Sequence, residues 1–317
     1  MNTNLFHVFR NTAMGRETYL HSLYFCKILN IGLTVYLPAS THFTMMLDNE
    51  TVRVDLDGSY LTGPDSAADR AQRLAESYGV DITIFSPKSA NGSQSADLPR
   101  DFAFMTCPRS ISDLSSRIGL GFIGAKVRRI IRSADFPVLI ASPGFKPWKS
   151  ITVLFGGSKN AINALRLGIH IANRTGFPLK MLTCLEEDRA FYQNTIDMAE
   201  LKQGVKQSVA LWDQFENGRF EEHLYTVPHD SLVLVGAYGH GIIKDFLFGS
   251  KLEKIQATLT NNLLIAGPRV GIPHCLQQDP TPKTETDVIG AIPPGPPGHS
   301  GNRIGDHCSS AAPNSLY

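Results

Sequence analysis

Four residues late in the chain have the types and spacing to hold a phosphate group. Gly236, Gly239, Gly249 and Ser250 form the pattern G-x2-G-x9-G-S. The first two follow directly on the apolar run Leu232-Val233-Leu234-Val235. The last two head a run whose apolar residues, Leu252, Ile255 and Leu259, recur at helical spacing. Glycines just past the carboxyl end of a buried strand let the backbone approach an anion closely and adopt positive φ. Free N–H groups at a helix start, with the positive end of its dipole, favour negative charge in the same place. Ser250 adds a hydroxyl, and His240 and Lys244 add positive charge. Any one of these glycines reads as a turn; the four-part spacing after a strand reads as phosphate binding.

A loop of this kind needs a parallel sheet beneath it, and the surrounding sequence supplies one. The run Ile151-Thr152-Val153-Leu154-Phe155 is short, apolar and β-branched, as suits a strand buried on both faces. Gly156, Gly157 and Ser158 break it, and Ser158 is a good N-cap for a helix carrying Ile162, Leu165, Ile169 and Ala172 on one side, closed by Gly176. Residues 179–184 read as the second strand. Residues 187–217 read as a long helical stretch, with Met198, Leu201, Val205, Trp212 and Phe215 along one side. Residues 220–227, 231–235 and 263–266 read as strands three to five. Alternating strands and helices predict a parallel sheet with helices on both faces. Only Pro228, His229 and Asp230 separate the expected strands three and four, too few for a parallel crossover. Either a helix has been lost there or these strands meet differently.

The unit occurs twice. Phe136–Pro143 matches Asn261–Pro268 in kind, 125 residues apart, and Gly124-Ala125 matches Gly249-Ser250 at the same offset. Val127, Ile130, Ile131 and Ala134 repeat the helix face of the second copy. The first copy begins with a strand at residues 6–9, a helix at 14–28 and a strand at 33–37. Residues 44–57 alternate around Asp48-Asn49-Glu50 as a hairpin does. A helix at 65–78 closed by Gly79, a strand at 80–85, a Ser-rich loop at 86–99 and a strand at 102–105 complete it. The two copies join near residues 144–149. Beyond Pro268 the segment 271–317 holds eight of nineteen prolines and many Gly and Ser, a composition expected to remain disordered. Its Pro293-Pro294-Gly295-Pro296-Pro297 stretch is too short for collagen and offers a polyproline docking site at most.

The residues 150–268 resemble a universal stress protein domain of the UspA type. The match rests on the complete G-x2-G-x9-G-S pattern, on Val153–Ser158 as the strand-one turn and on Leu263-Leu264-Ile265 as the closing strand. The whole chain resembles a tandem protein of that family over roughly residues 5–268. This resemblance implies two tandem Rossmann-like domains of the adenine nucleotide α-hydrolase-like kind, each a parallel five-stranded sheet with helices on both faces. The division is residues 1–147, a degenerate copy, residues 148–269 with the intact motif, and a tail at 270–317. It implies a cytoplasmic stress-response protein that binds ATP, with or without Mg2+, at Phe155, Gly156, Gly157, Gly236, Gly239, His240, Gly249 and Ser250. The strand-one acidic residue that contacts the nucleoside in the family is Gly156 here, and the third helix reads as deleted at residues 228–230. In the first copy only Gly124 survives; Ile111 and Leu114 stand where Gly236 and Gly239 would. Asp57-Gly58-Ser59 imitates a strand-one turn but follows the hairpin, so it reads as a turn only.

Composition narrows the remaining choices. A net charge of +1 gives no broad basic surface for nucleic acid. Five scattered cysteines without CxxC spacing fit a reducing cytoplasm. The N-terminus lacks a signal-peptide pattern, and Lys27 and Asn30 interrupt the apolar residues 20–38, so no membrane segment is expected. His223 and His229 with Glu221 and Glu222 fit no metal motif. Cys107 reads as a buried thiol, Met198 and Trp212 as core or dimer contacts, and Lys126, Arg128, Arg129 and Arg132 as a solvated helix face. No general base stands against the glycine loop, so no enzyme beyond slow ATP hydrolysis is expected. The alternatives are an adaptor without nucleotide, whose pseudo-dimer faces and tail recruit partners, and an α-hydrolase-like enzyme, whose catalytic constellation is not seen; the chain is expected to be an intramolecular pseudo-dimer or a homodimer.

Overall fold

A computed structural model describes residues 3–47, 50–61, 63–85, 96–97, 102–108, 124–237 and 259–277. The first half contains β1 (Leu5–Val8), α1 (Ala13–Leu29), β2 (Leu33–Tyr36), β3 (His42–Leu47), β4 (Glu50–Asp55), a 3-10 turn (Gly58–Tyr60), α2 (Pro64–Tyr78), β5 (Ile82–Phe85), β6 (Ala96–Asp97), β7 (Phe104–Cys107), α3 (Ala125–Ser133) and β8 (Val138–Ile140). The second contains β9 (Ser150–Leu154), α4 (Lys159–Thr175), β10 (Leu179–Cys184), α5 (Arg189–Met198), α6 (Lys202–Ser208), β11 (Val209–Phe215), α7 (Phe220–His223), a 3-10 turn (Leu224–Thr226), β12 (Ser231–Gly236), β13 (Leu263–Ala266) and α8 (His274–Gln277).

Ten strands form one sheet in the order β11-β10-β9-β12-β13-β8-β7-β1-β2-β5. Within each five-strand half every pairing is parallel. The halves meet where β13 and β8 pair antiparallel, with Leu264 opposite Leu139, Leu263 opposite Ile140 and Ile265 opposite Val138. Leu139 and Leu264 are the residues that the internal repeat equates. Equivalent residues therefore lie across from each other, as at a two-fold axis. The central strands are buried along their length, which explains their continuous apolar sequence.

Helices α1, α2, α4 and α5 cover one face of the sheet with a common apolar cluster. α3, α7 and a small sheet of order β4-β3-β6 cover the other. The β3–β4 pair is the expected hairpin, with Thr44 opposite Arg53. Its inner residues Phe43, Met45, Val52 and Val54 are buried, and Phe43 meets the Tyr36 ring edge-on at 5.5 Å. Helix ends follow local chemistry. Thr12 and Ser158 accept from the N–H groups of Gly15 and Ala161, and Asn30, Gly79 and Gly176 close their helices in the left-handed region.

Two sequence expectations are corrected. Residues 187–217 are not one helix: α5 and α6 are separated at Glu200, whose φ is +58°, and β11 follows as an edge strand on β10. The run Val209-Ala210-Leu211-Trp212 carries β-forming residues, and the Trp212 indole N–H donates to Thr183 Oγ1 at 2.9 Å. Met198 is 86% exposed and belongs to no core. Residues 220–227 are not a strand either. Phe220, Leu224 and Val227 are buried at helical spacing in α7 and the 3-10 turn after it. The crossover from β11 to β12 is therefore residues 216–230, and the third helix is shortened to about one turn, not deleted.

The segment joining the halves is pinned on both sides. Ser142 N–H donates to Asn262 Oδ1 at 2.9 Å, Phe145 N–H to Glu17 Oε2 at 2.7 Å and the Tyr24 hydroxyl to the Trp148 carbonyl at 2.6 Å. His21 Nε2 lies 3.1 Å from the Gly144 carbonyl and 3.0 Å from Ser142 Oγ. His7 sits deeper, with Nδ1 2.9 Å from Ser22 Oγ and, among the described residues, no hydrogen-bond partner at Nε2. Burial lowers His7 to about 3 and His21 to about 4, because a charged imidazole cannot be solvated there. No helix among the described residues is long and apolar enough to cross a membrane.

Two outcomes follow. Between pH 6.5 and 5 the unfolded chain binds more protons than the folded one, so urea stability should fall on acidification. The expected slope is roughly 1.4 kcal/mol per pH unit for each of the two imidazoles. A flat profile over that window would show that these histidines are not buried neutral. Leu264→Ala should lose about 2–5 kcal/mol, and Leu139→Ala should be non-additive with it in a double-mutant cycle, since the two side chains face each other.

Candidate functional site

The strand order reverses direction between β9 and β12, which places a crevice at their carboxyl ends. On the β9 side the chain turns through Phe155, Gly156, Gly157 and Ser158. Phe155 itself is fully buried; its N–H donates to the Leu182 carbonyl at 2.9 Å and its ring meets Tyr192 and Trp212 edge-on. Its side chain anchors the turn and does not face the crevice. Gly156, Gly157 and Ser158 are half-exposed, and Gly157 has φ +72°, a conformation that favours glycine.

On the β12 side Gly236 is packed against the start of α4. A Cβ there would meet Asn160 C at 2.3 Å and Ala161 N at 2.4 Å. Its need for glycine is thus the close approach of strand and helix, a different reason from contact with phosphate. The Asn160 side-chain amide donates to the Ala237 carbonyl, and Ala237 N–H donates to the Ala266 carbonyl at 2.8 Å. The chain therefore leaves β12 in a fixed direction. Gly239, His240, Lys244, Gly249 and Ser250 lie outside the described residues. Asn160 escaped the sequence reading, although an Asn in the first turn of a helix is a poor helix former with an amide free for other bonds.

The first half shows the same edge built differently. Thr12 and Ser158 are equivalent N-caps 146 residues apart, and at that offset Arg10 stands where Gly156 does. The registers of β7 on β1 and β12 on β9 place Pro108 at the position of Gly236, which corrects Ile111, the residue that the 125-residue offset puts there. Arg10 Nη2 pairs with Asp57 Oδ2 at 3.2 Å, and Nε donates to Ser59 Oγ at 2.6 Å. The guanidinium carbon lies 5.1 Å from the centre of the buried Tyr60 ring. Asp57 also accepts from the Ser59 N–H at 2.8 Å. The Asp57-Gly58-Ser59 segment is a turn, as its sequence indicates, and the turn lies on Arg10. A side-chain cluster thus stands in the first half where the second half has Gly156.

The remaining candidates have structural partners. Lys126 reaches Asp55 at 2.6 Å and Arg129 reaches Glu50 at 3.2 Å, so α3 is clasped to β4 and is not simply a solvated face. The Ser133 hydroxyl holds Glu50 below its usual range, and Lys126 does so for Asp55. His223 stacks on Phe215 with ring centres 4.0 Å apart and lies 2.8 Å from the Asn217 carbonyl at Nε2. No group of three or more His, Cys, Asp or Glu among the described residues is placed to hold a metal. Cys107 is buried, and burial pushes its thiol up. The disordered tail expected from residue 271 does not begin there: Cys275 and Leu276 are buried beside α4, and Arg174 Nη1 donates to the Cys275 carbonyl at 2.7 Å; residues 278–317 lie outside the described residues.

No protein-family model matches the chain, and no curated protein matches it. Solved structures do. A Pseudomonas aeruginosa protein assigned to the universal stress proteins aligns over 87% of this chain and 97% of its own, with 11% identity and a TM-score of 0.51. A universal stress protein of Archaeoglobus fulgidus aligns over 84% and 98%, with 14% identity and a TM-score of 0.51. At such identities the likeness concerns architecture, and on that architecture this chain has the fold of the universal stress proteins.

Proposed function

We propose that the chain is a cytoplasmic stress-response protein of the universal stress type that binds one adenine nucleotide, ATP, in its second half. The observation that carries this reading is the contrast at the two sheet edges. Glycines at 156 and 157 leave the strand-one turn without side chains, while the equivalent first-half turn is filled by Arg10 and its partners. The residues present fit a nucleotide in kind. Gly156 and Gly157 offer backbone at the nucleoside end, and Gly236, Gly239, Gly249 and Ser250 offer N–H groups and a hydroxyl for phosphates. His240, and Mg2+ when bound, would balance phosphate charge, and Phe155 holds the turn from beneath.

The proposed role is binding and not turnover, and any hydrolysis of ATP is expected to be slow. The four described cysteines are unpaired thiols, which suits a reducing cytoplasm. An adaptor without nucleotide is the second reading. It is favoured by one observation, the glycine in place of the family's acidic residue, and would work through the pseudo-dimer faces or a homodimer.

Calorimetry with ATP should show saturable binding at one nucleotide per chain, and Gly239→Val should abolish it with the fold intact by circular dichroism. Absence of binding by the wild type at millimolar ATP would select the adaptor reading. Gly236→Ala should weaken binding and also destabilise the protein by more than about 1 kcal/mol, since its methyl group meets helix backbone; chemical denaturation separates the two effects.

A further inference from the structure

We infer that α1 is an acid-sensitive latch: when His7 and His21 take up protons, the helix and the linker that it holds, residues 141–149, come away from the first half while the second half keeps its packing. The inference is independent of the nucleotide reading.

The two halves are built differently at one place in their cores. α4 packs on its sheet so closely that a Cβ on Gly168 would meet Val153 Cγ2 at 2.7 Å, Leu179 Cδ1 at 3.5 Å and Leu234 Cδ2 at 3.6 Å. At the offset that equates Thr12 with Ser158, Ser22 stands for Gly168 and His7 for Val153. The strand registers set Thr106 where Leu234 stands. An apolar contact in the second half is thus a polar chain in the first. Ser22 Oγ lies 2.9 Å from His7 Nδ1 and donates to Thr106 Oγ1 at 2.9 Å, and all three side chains are buried. The next position differs in the same way. His21 stands for Leu167, and Ser142, which lies 3.0 Å from its Nε2, stands for Gly267. α1 therefore holds the sheet through one imidazole and the linker through the other.

Neither imidazole has a place for a second proton. Among the described residues His7 Nε2 and His21 Nδ1 are buried without a hydrogen-bond partner, and a charged N–H left there would be neither paired nor hydrated. Around His7 stand the rings of Tyr19 at 5.1 Å and Phe9 at 6.5 Å, with Val35 beside it on β2. The Tyr19 hydroxyl already donates to the Ala71 carbonyl at 3.1 Å. Beside His21 the Phe145 ring stands edge-on at 5.1 Å, and Tyr24 and Tyr78 meet that ring in turn. Arg16 acts on the Tyr78 hydroxyl and Asp230 on that of Tyr24, while the linker's own Lys146 and Lys149 add positive charge. Glu17, one turn earlier on α1, accepts the Phe145 N–H at 2.7 Å. Turning it to a charged His21 would unpair that linker amide, so either response loosens residues 141–149. In the second half α4 carries His170, which is only half-buried.

The test is amide hydrogen exchange of the full chain from pH 6.5 to 5, each rate divided by its intrinsic rate at that pH. An imidazole neutral when held and charged when released adds about ten-fold per pH unit to the opening constant. The amides of α1 and residues 141–149 should therefore gain up to about 100-fold per unit, and those of α4 about ten-fold at most. His21→Gln keeps a donor for the Gly144 carbonyl and cannot titrate; it should bring α1 and the linker down to about ten-fold. His7→Val with Ser22→Gly and Thr106→Leu gives the first half the second half's residues and should remove the other ten-fold. Equal steepness in α1 and α4 of the wild type would overturn the inference. So would an unchanged dependence in His21→Gln, a readout that does not require the triple variant to fold.

Discussion

The antiparallel ladder between β8 and β13 is the contact on which the rest of the molecule depends. A five-stranded parallel sheet ends in an edge strand whose backbone groups need partners. Val138–Ile140 and Leu263–Ala266 are buried on both faces, so neither could stand at an open edge. Each half solves the problem of the other, and Leu139 against Leu264 marks the centre of that exchange. Two separate chains would have to find each other to make this ladder. Here residues 141–149 make it intramolecular, and their bonds to Glu17, Tyr24 and Asn262 hold the connection in one path.

Joining the halves also frees them to differ. In two identical subunits a substitution at one sheet edge appears at both; in one chain it does not. The first half has an added hairpin between β2 and α2, and Arg10 is tied to the turn that follows it by charge, hydrogen bond and ring contact. The ion pairs from α3 to β4 hold the same hairpin from the other side. Exposed pairs of this kind contribute little each, so the buried Phe43, Met45, Val52 and Val54 supply most of the attachment, and the charges set its alignment.

What the sequence disclosed and what it hid follow one physical division. Signals that act locally were legible: the cap at Ser158, the left-handed closures at Gly79 and Gly176, the hairpin and the apolar central strands all read directly. The repeat equated Leu139 with Leu264, and the structure shows that these two residues meet. The errors lie where tertiary contact decides. Residues 209–215 carry enough helical spacing with Met198 and Leu201 to extend a helix, yet β10 needs an outer neighbour and takes them as a strand. Residues 220–227 are apolar enough for a strand, but their i, i+4, i+7 pattern was a helical signal passed over. Arg10 was invisible because its role comes from Asp57 and Tyr60, nearly fifty residues away, and from an offset of 146 that weak sequence similarity conceals.

The glycines show the same division within the site. A glycine motif is read as one device for phosphate, but Gly236 is required by the backbone of Asn160 and Ala161, and Gly157 by its own positive φ and by the Phe191 ring. Both would be needed for the shape of the edge whatever the edge holds. Glycine alone therefore marks no ligand site; the two edges differ in what stands at the position of residue 156. At the first edge the equivalent space is taken by an arginine with a carboxylate, a hydroxyl and a ring to satisfy it. At the second, half-exposed backbone at Gly156 and Gly157 lies beside the Phe191 ring.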